Sequence, residues 1–278
     1  MPISQKSNSV RKICVLLFES FSNHCLANAI EPFRAANTIA RKQLYSWQHV
    51  SLAGGTVTSS SGLPVATSAW SEAKPGGDYL FIMPSYGFEA FAGQSTVRAL
   101  KAARQRFGTL VGMDTGAWLL AAAGLLEGRK ATIHWEGAVS LQEKFPEVEL
   151  TGSIFEIDRN RYTCAGGTSA IDLLLHIISK EHGDKLAYDI SLQFMHDRIR
   201  SHSDKQQVVR KLQLAARSQK LLTIVEIMEQ NIEEPLSPDE LAAMVGISIR
   251  QVERLFRQHT GRSPARYYME MRLEHARL

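Results

Sequence analysis

Gly112-Met113-Asp114-Thr115-Gly116-Ala117-Trp118-Leu119-Leu120 is the stretch that decides the fold. Thr109 to Met113 is a short apolar run of strand length, and Ala117 to Leu125 is an apolar run rich in Ala and Leu, which suits a helix. Asp114-Thr115-Gly116 leaves room only for a sharp turn between them. A strand turning directly into a helix is the repeating unit of a parallel α/β sheet. The alternation continues outward in both directions. Ile13 to Phe18 and Tyr79 to Met83 are unbroken apolar runs, the pattern of strands buried on both faces. Trp47 to Leu52 adds a strand, and helices are predicted at about Cys25 to Ala40 and Ser95 to Phe107. Downstream, strands are predicted at Lys130 to Ile133, Ile154 to Asp158 and Tyr162 to Cys164, and a helix at Ser169 to His182. The whole predicts a three-layer α/β sandwich with a mainly parallel sheet over residues 11–190. Sites in such sheets lie at the C-terminal strand ends, which here carry Glu19, Pro84-Ser85-Tyr86, Asp114-Thr115 and Ala165-Gly166-Gly167.

Around this block the composition changes. Residues 1–10 are polar and read as a disordered tail. Lys185 to Gln230 contains no Gly or Pro, and Asp197 to Lys220 holds seven Lys/Arg against two acids, so residues 191–220 read as a basic helical linker. Residues 221–278 form a separate all-α module.

The 278 residues suit two domains of unequal size. Three cysteines exclude a disulfide scaffold and fit a reducing cytoplasm. Ala117 to Leu126, the longest strongly apolar stretch, is about half a membrane span, so no membrane partner is expected. The histidines are scattered without a His-x-x-x-His or Cys-x-x-Cys pair, so no metal and no cofactor is expected. The net charge of +4 is small, yet Arg250 to Arg277 alone holds seven Arg against three acids. The surplus sits at the C-terminal end.

In that end, Ser237-Pro238-Asp239-Glu240 reads as a helix start: Ser237 caps, Pro238 fits the first helical position and Glu240 completes a capping box. Gly246 ends that helix and Ser248 caps the next one. The second helix buries Val252, Leu255 and Phe256 and turns Arg250, Arg254 and Arg257 outward at i, i+4 and i+7. Two short helices about a glycine turn, the second with a cationic face, define a helix-turn-helix, and DNA is the expected partner.

The continuation Phe256-Arg257-Gln258-His259-Thr260-Gly261-Arg262-Ser263-Pro264-Ala265-Arg266-Tyr267, then Arg272-Leu273-Glu274-His275-Ala276-Arg277, resembles the AraC/XylS family of transcription regulators over about Leu221 to Leu278. The resemblance implies that Arg250, Gln251 and Arg254 face base edges. The chemistry agrees, since Arg suits guanine O6/N7 and Gln suits adenine N6/N7. Arg257, Arg262, Arg266 and Tyr267 are expected at phosphates. The family's reader has two helix-turn-helix units joined by a linker helix. This sequence stops inside that helix, so residues 221–278 read as the first half of the reader, apparently truncated, with weak DNA binding expected of it alone.

The Gly112 to Arg129 stretch, with its Leu-Leu-x-x-x-Gly-Leu-Leu tail, resembles the nucleophile elbow of the PfpI-like, class I glutamine-amidotransferase superfamily, a flavodoxin-like sandwich. The first strand ending at Glu19, Thr132-Ile133-His134-Trp135 and Cys164-Ala165-Gly166-Gly167 match as well. In those enzymes a Cys occupies the elbow. Asp114 stands there instead and Thr115 follows, so catalysis is not expected, because acyl chemistry of this kind needs a thiolate. The alternative is an enzyme of this fold (hydratase, amidase or glyoxalase) carrying an accessory DNA module. The fusion as a whole resembles the GlxA-like regulators, in the branch that senses quaternary amines and amino-acid-derived metabolites such as glycine betaine, carnitine or arginine. That implies a small-molecule effector at the elbow, with Asp114, Thr115, Trp118, His134, Trp135, Glu136, Tyr86, Glu19 and Asn23 as candidate contacts. Acidic groups beside aromatic faces suit a cation. Homodimerisation follows from the same resemblance, as does RNA polymerase as a partner if the protein activates.

Overall fold

The computed structural model describes residues 9–73, 75–206 and 218–276. The chain divides after Gln206 into two compact units. The first unit runs β1 (Arg11–Leu17), α1 (Asn23–Ile39), β2 (Tyr45–Ser51), β3 (Gly55–Thr58), β4 (Pro64–Ala69), α2 (Trp70–Ala73), β5 (Gly77–Met83), α3 (Gln94–Ala103), β6 (Phe107–Met113) and α4 (Gly116–Ala122). It continues with β7 (Lys130–Ala131), α5 (Ala138–Lys144), β8 (Glu149–Leu150), β9 (Phe155–Asp158), β10 (Arg161–Cys164), α6 (Ser169–His182) and α7 (Asp184–Gln193). Short 3-10 turns occupy Phe88–Phe91 and Trp135–Gly137.

Eight strands form one sheet in the order β3-β4-β2-β1-β5-β6-β10-β9. The pairs from β4 across to β10 are parallel, and β3 and β9 close the two ends antiparallel. Alternation along β1 shows why both faces are covered. Ile13, Val15 and Leu17 join the core beneath α1, α6 and α7, while Cys14 and Leu16 join the core beneath α3 and α4. A strand apolar at every position can satisfy both of its faces only as the middle layer of three. The edge hairpin β3–β4 escaped the sequence reading because its strands lack an apolar run: most of their residues are exposed or half-buried, and Val57 is their one buried side chain.

The basic helical linker expected at 191–220 is not one helix. Of that stretch, 207–217 lies outside the described residues, as do residues 1–8 of the expected disordered tail. The described part, 194–206, leaves the helix after Gln193. Met195 takes a left-handed φ of 52°, and the chain then follows the first unit to Gln206. The reason is tertiary competition. Its backbone and the Arg200 side chain find the Asp172 carboxylate and the backbone at 152–154, and these partners outweigh helical propensity.

The second unit comprises α8 (Gln219–Gln230), α9 (Pro238–Val245), α10 (Ile249–Thr260) and α11 (Pro264–His275). Ser237 and Glu240 form the reciprocal capping box, with Pro238 at the first turn. Gly246 leaves α9 with φ 65°, a conformation that costs glycine nothing and lets the chain reverse into α10. Leu221, Ile224, Val225, Met228, Leu241, Val252, Phe256, Tyr267, Tyr268 and Met271 make its core. No helix among the described residues is long and apolar enough to cross a membrane.

Candidate functional site

The elbow between β6 and α4 is built by close backbone approach. Asp114 sits in the left-handed region at φ 59°, which is costly for a non-glycine residue and concentrates at functional turns. Glycines on either side make it possible. A Cβ at Gly116 would lie 2.2 Å from the Ile82 carbonyl oxygen, and one at Gly112 would lie 2.7 Å from the Ala117 amide. A Cβ at Gly166 would lie 2.8 Å from the Asp114 carboxylate, so the Gly166-Gly167 turn is moulded around that side chain. Ser85 organises the other wall. It is 5 % exposed with φ 145°, its Oγ accepts from the Ser22 amide at 2.9 Å, and its carbonyl accepts from Thr115 Oγ1 at 2.9 Å.

Above the elbow lies a pocket of about 180 Å³, lined by Ser85, Tyr86, Gly87, Phe88, Asp114, Thr115, His134 and Glu136. That is the volume of about six waters at roughly 30 Å³ each, which suits a small metabolite. Asp114 is 8 % exposed; burial holds its carboxyl above the usual range, opposed by His134 and by a hydrogen bond from Ser85. The His134 amide donates to the Asp114 carbonyl at 3.1 Å, and His134 Nδ1 stands 3.7 Å from Glu136 Oε2. Two acidic groups and one imidazole therefore face one small space, with Tyr86 and Phe88 as the aromatic walls.

Five of the nine sequence-expected residues are brought together: Asp114, Thr115, His134, Glu136 and Tyr86. Four are not. Trp118 is 1 % exposed, wedged between Phe88 and Phe145 at 5.2 Å each, with Lys144 Nζ 5.3 Å from its ring. It supports the Phe88 wall from behind rather than meeting a ligand. Trp135 is half-buried beside the His134 ring and is not part of the pocket lining. Glu19 is exposed and accepts from the Thr58 amide at 3.1 Å, which ties β1 to the edge hairpin. Asn23 begins α1 and does not line the pocket. Gly87 and Phe88 were not expected, and Ser85 and Gly166 were expected only as part of site-bearing strand ends, with no role of their own. For Ser85 the one signal was its place straight after a buried strand, beside Pro84.

All three cysteines are buried free thiols. Burial pushes Cys14 and Cys164 up to about 12 and Cys25 well above its ordinary value, so none carries the thiolate a nucleophile requires at neutral pH. Among the described residues no His/Cys/Asp/Glu group has the geometry to hold a metal ion.

The second unit presents a different surface. Arg250, Glu253, Arg254, Arg257 and Gln258 line one shallow exposed face of α10, opposite buried Val252 and Phe256. Gln251 is committed elsewhere: its Oε1 accepts from the Ser248 amide at 2.9 Å in a second capping box. The cap bond competes with a bidentate adenine contact, which uses the same carbonyl oxygen. Tyr267, expected at phosphate, is core instead. It is 3 % exposed and meets Phe256 edge-on at 5.2 Å, because the turn at Gly261 folds α11 back over α10. Arg262 and Arg266 converge on Glu270 at 2.7 and 3.1 Å. These are exposed pairs worth at most about 1 kcal/mol, readily exchanged for phosphate.

The fold and its two surfaces define a class: a DJ-1/PfpI-type domain joined to a helix-turn-helix reader. Comparison with known proteins agrees, since the DJ-1/PfpI family matches residues 11–180 and a helix-turn-helix domain family matches residues 241–278. The chain is 39% identical over 275 residues to the HTH-type transcriptional regulator GbdR of Pseudomonas aeruginosa, covering 99% of this chain and 75% of that protein. It is 34% identical over 281 residues to the HTH-type transcriptional regulator GlxA of Rhizobium meliloti, covering 100% and 86%. A crystal structure of an AraC family transcriptional regulator from Pseudomonas putida superposes with a TM-score of 0.59 at 26% identity, over 66% of this chain and 99% of that one. This chain belongs to that family of HTH-type transcriptional regulators, in which a DJ-1/PfpI domain precedes an AraC-type reader.

Proposed function

We propose that a small cationic metabolite, such as a quaternary amine or an amino-acid derivative, binds in the elbow pocket and sets the DNA-binding state of this regulator. The observation that carries the reading is Asp114, a mostly buried carboxylate held in a strained turn at the floor of the pocket. Strain and an incompletely compensated charge are costs that a ligand can relieve. A bound cation beside Asp114 and Glu136 compensates both acids, and Tyr86 and Phe88 offer it π-faces. In this reading the elbow has exchanged nucleophile chemistry for ligand recognition, with Asp114 at the position where the resemblance expects Cys and all three thiols buried.

On the DNA side, Arg250 and Arg254 read base edges in the major groove, while Arg257, Arg262 and Arg266 hold phosphates. The protein works as a homodimer in the cytoplasm, pairing its readers on an operator, and an activating form would contact RNA polymerase. Thermal-shift screening of the full chain with glycine betaine, carnitine, choline and L-arginine tests the pocket. At least one compound raises the Tm of the native chain and leaves that of the Asp114→Ala variant unmoved. A screen in which nothing shifts the native chain removes the proposal.

A further inference from the structure

The segment between the two units is held along the first unit at both of its ends. At the near end Asp172, with no exposed side-chain surface, receives four hydrogen bonds. The Arg200 amide and His196 Nε2 meet Oδ1 at 2.7 and 2.9 Å, and Arg200 Nε and Nη2 meet Oδ2 at 2.9 and 2.7 Å. Arg200 Nη2 also reaches Thr168 Oγ1 at 2.9 Å. At the far end the Gln206 amide donates to the Gly152 carbonyl and the Ile154 amide to the Asp204 carbonyl, each at 3.0 Å. The Gln206 side-chain amide fans over the Ile133 carbonyl at 2.9 Å, Thr132 Oγ1 at 3.1 Å and the Ser153 carbonyl at 3.2 Å.

Both anchors adjoin the elbow pocket. Ile133 precedes His134, which lines the pocket and bonds the Asp114 carbonyl. Thr168 follows the Gly166-Gly167 turn that is moulded around the Asp114 carboxylate. A ligand that draws His134 and Asp114 together therefore bears on the Ile133 carbonyl at one anchor and on the Thr168–Asp172 turn at the other. The hold is largely polar, and Met195 at the start of the segment is 87 % exposed. Segments with few buried apolar contacts open at a small fraction of global stability, which makes them fit for a two-state coupling element.

We infer that residues 196–206 form a strap through which occupancy of the elbow pocket is passed toward the DNA-binding module, with Arg200 and Gln206 as its positioning residues. The inference rests on the pocket reading given above. What reaches the module is a change in how firmly its leading segment is docked, and coupling requires the two pocket states to differ in that docking.

Hydrogen exchange on the full-length chain tests the strap without needing a ligand. His134→Ala keeps the backbone bond to Asp114 but removes the imidazole beside Glu136 that helps position the 132–134 backbone, and it speeds exchange at the Arg200 and Gln206 amides about three- to tenfold, whereas Tyr188→Ser on the exposed side of α7 leaves both unchanged. Strap exchange that ignores His134→Ala, or that responds equally to Tyr188→Ser, overturns the inference. A second arm uses glycine betaine and L-arginine as probes. Arg200→Ala and Gln206→Leu keep the thermal shift given by the active probe but lose its effect on DNA affinity. Variants that keep both overturn the strap. If neither probe shifts the native chain, the pocket reading fails for those compounds, while the exchange arm still decides the strap.

Discussion

The elbow and the recognition helix use glycine, arginine and carboxylate in opposite ways. At the elbow, backbone packing fixes everything: Gly112, Gly116 and Gly166 are there because any Cβ would strike a neighbour, and Asp114 is held buried and strained. At α9–α10, Gly246 has nothing within 4 Å of its missing Cβ, and the arginines stand in open solvent. The elbow is a preorganised cavity whose chemistry depends on three-dimensional closure. The helix-turn-helix is a small scaffold that displays charge. On the function proposed above this division suits a regulator, because a ligand site must be rigid to discriminate, while a DNA reader must leave its cations free to exchange water and counterions for phosphate.

The largest test of the comparison is Phe256→Ala. This ring is fully buried in the small core of the second unit, and its loss costs about 3–5 kcal/mol. In calorimetry the module's transition collapses and the first unit's transition stays in place, and DNA binding is lost. A shared shift of both transitions would show that the units do not melt separately. The glycines give the next contrast. Gly116→Ala forces a methyl onto the Ile82 carbonyl and costs about 3 kcal/mol or more by overpacking against backbone. Gly246→Ala meets only the left-handed penalty of about 1–2 kcal/mol. Urea midpoints that rank them the other way would break the distinction between steric and conformational glycines.

Smaller effects sharpen it further. Arg254→Ala relaxes base preference at one operator position by about 1–3 kcal/mol without altering thermal stability, read by binding-site selection. Unchanged preference would move the reading elsewhere on α10. Asp114→Asn should show the smallest change, and its sign is fixed. Because the fold raises this carboxyl, the native chain holds the proton more tightly than the unfolded chain. Stability is therefore lost as pH rises from the ordinary carboxylate value through the raised one. Asn removes that loss, so the variant melts higher than the native chain at neutral pH, and the gap closes in acid. A lower Tm at neutral pH would mean that His134 and Ser85 compensate the charge fully.

What could be read from the sequence follows the same division. Strand runs such as Ile13 to Phe18, the helix Ser169 to His182, the capping box of α9 and the Ser248 cap of α10 were legible because their signals are local and periodic. The pocket was half legible. The resemblance marked Asp114, His134 and Glu136, and it marked Trp118 and Trp135 with them, because sequence cannot say which aromatic rings line a pocket and which pack behind it. Ser85 and Gly166 were placed at the right strand ends, but their roles were not legible because they come from strands brought together in space. Gln251 and Tyr267 were assigned to DNA by the same limit: the first is drawn into its own helix cap and the second into the core. The strap was misread as helix because Asp172 and the backbone at 152–154, its partners, lie 20 or more residues away in the sequence.

The account rests most directly on coupling between the elbow pocket and DNA. The measurement is the affinity of the full chain for its selected DNA site, with and without the compound that raises its Tm, in native and Asp114→Ala forms. The account predicts that the compound shifts the native affinity about tenfold and leaves Asp114→Ala, folded and DNA-competent, unresponsive. An Asp114→Ala chain that responds as the native one does, or a native chain whose DNA affinity ignores the bound compound, would contradict it.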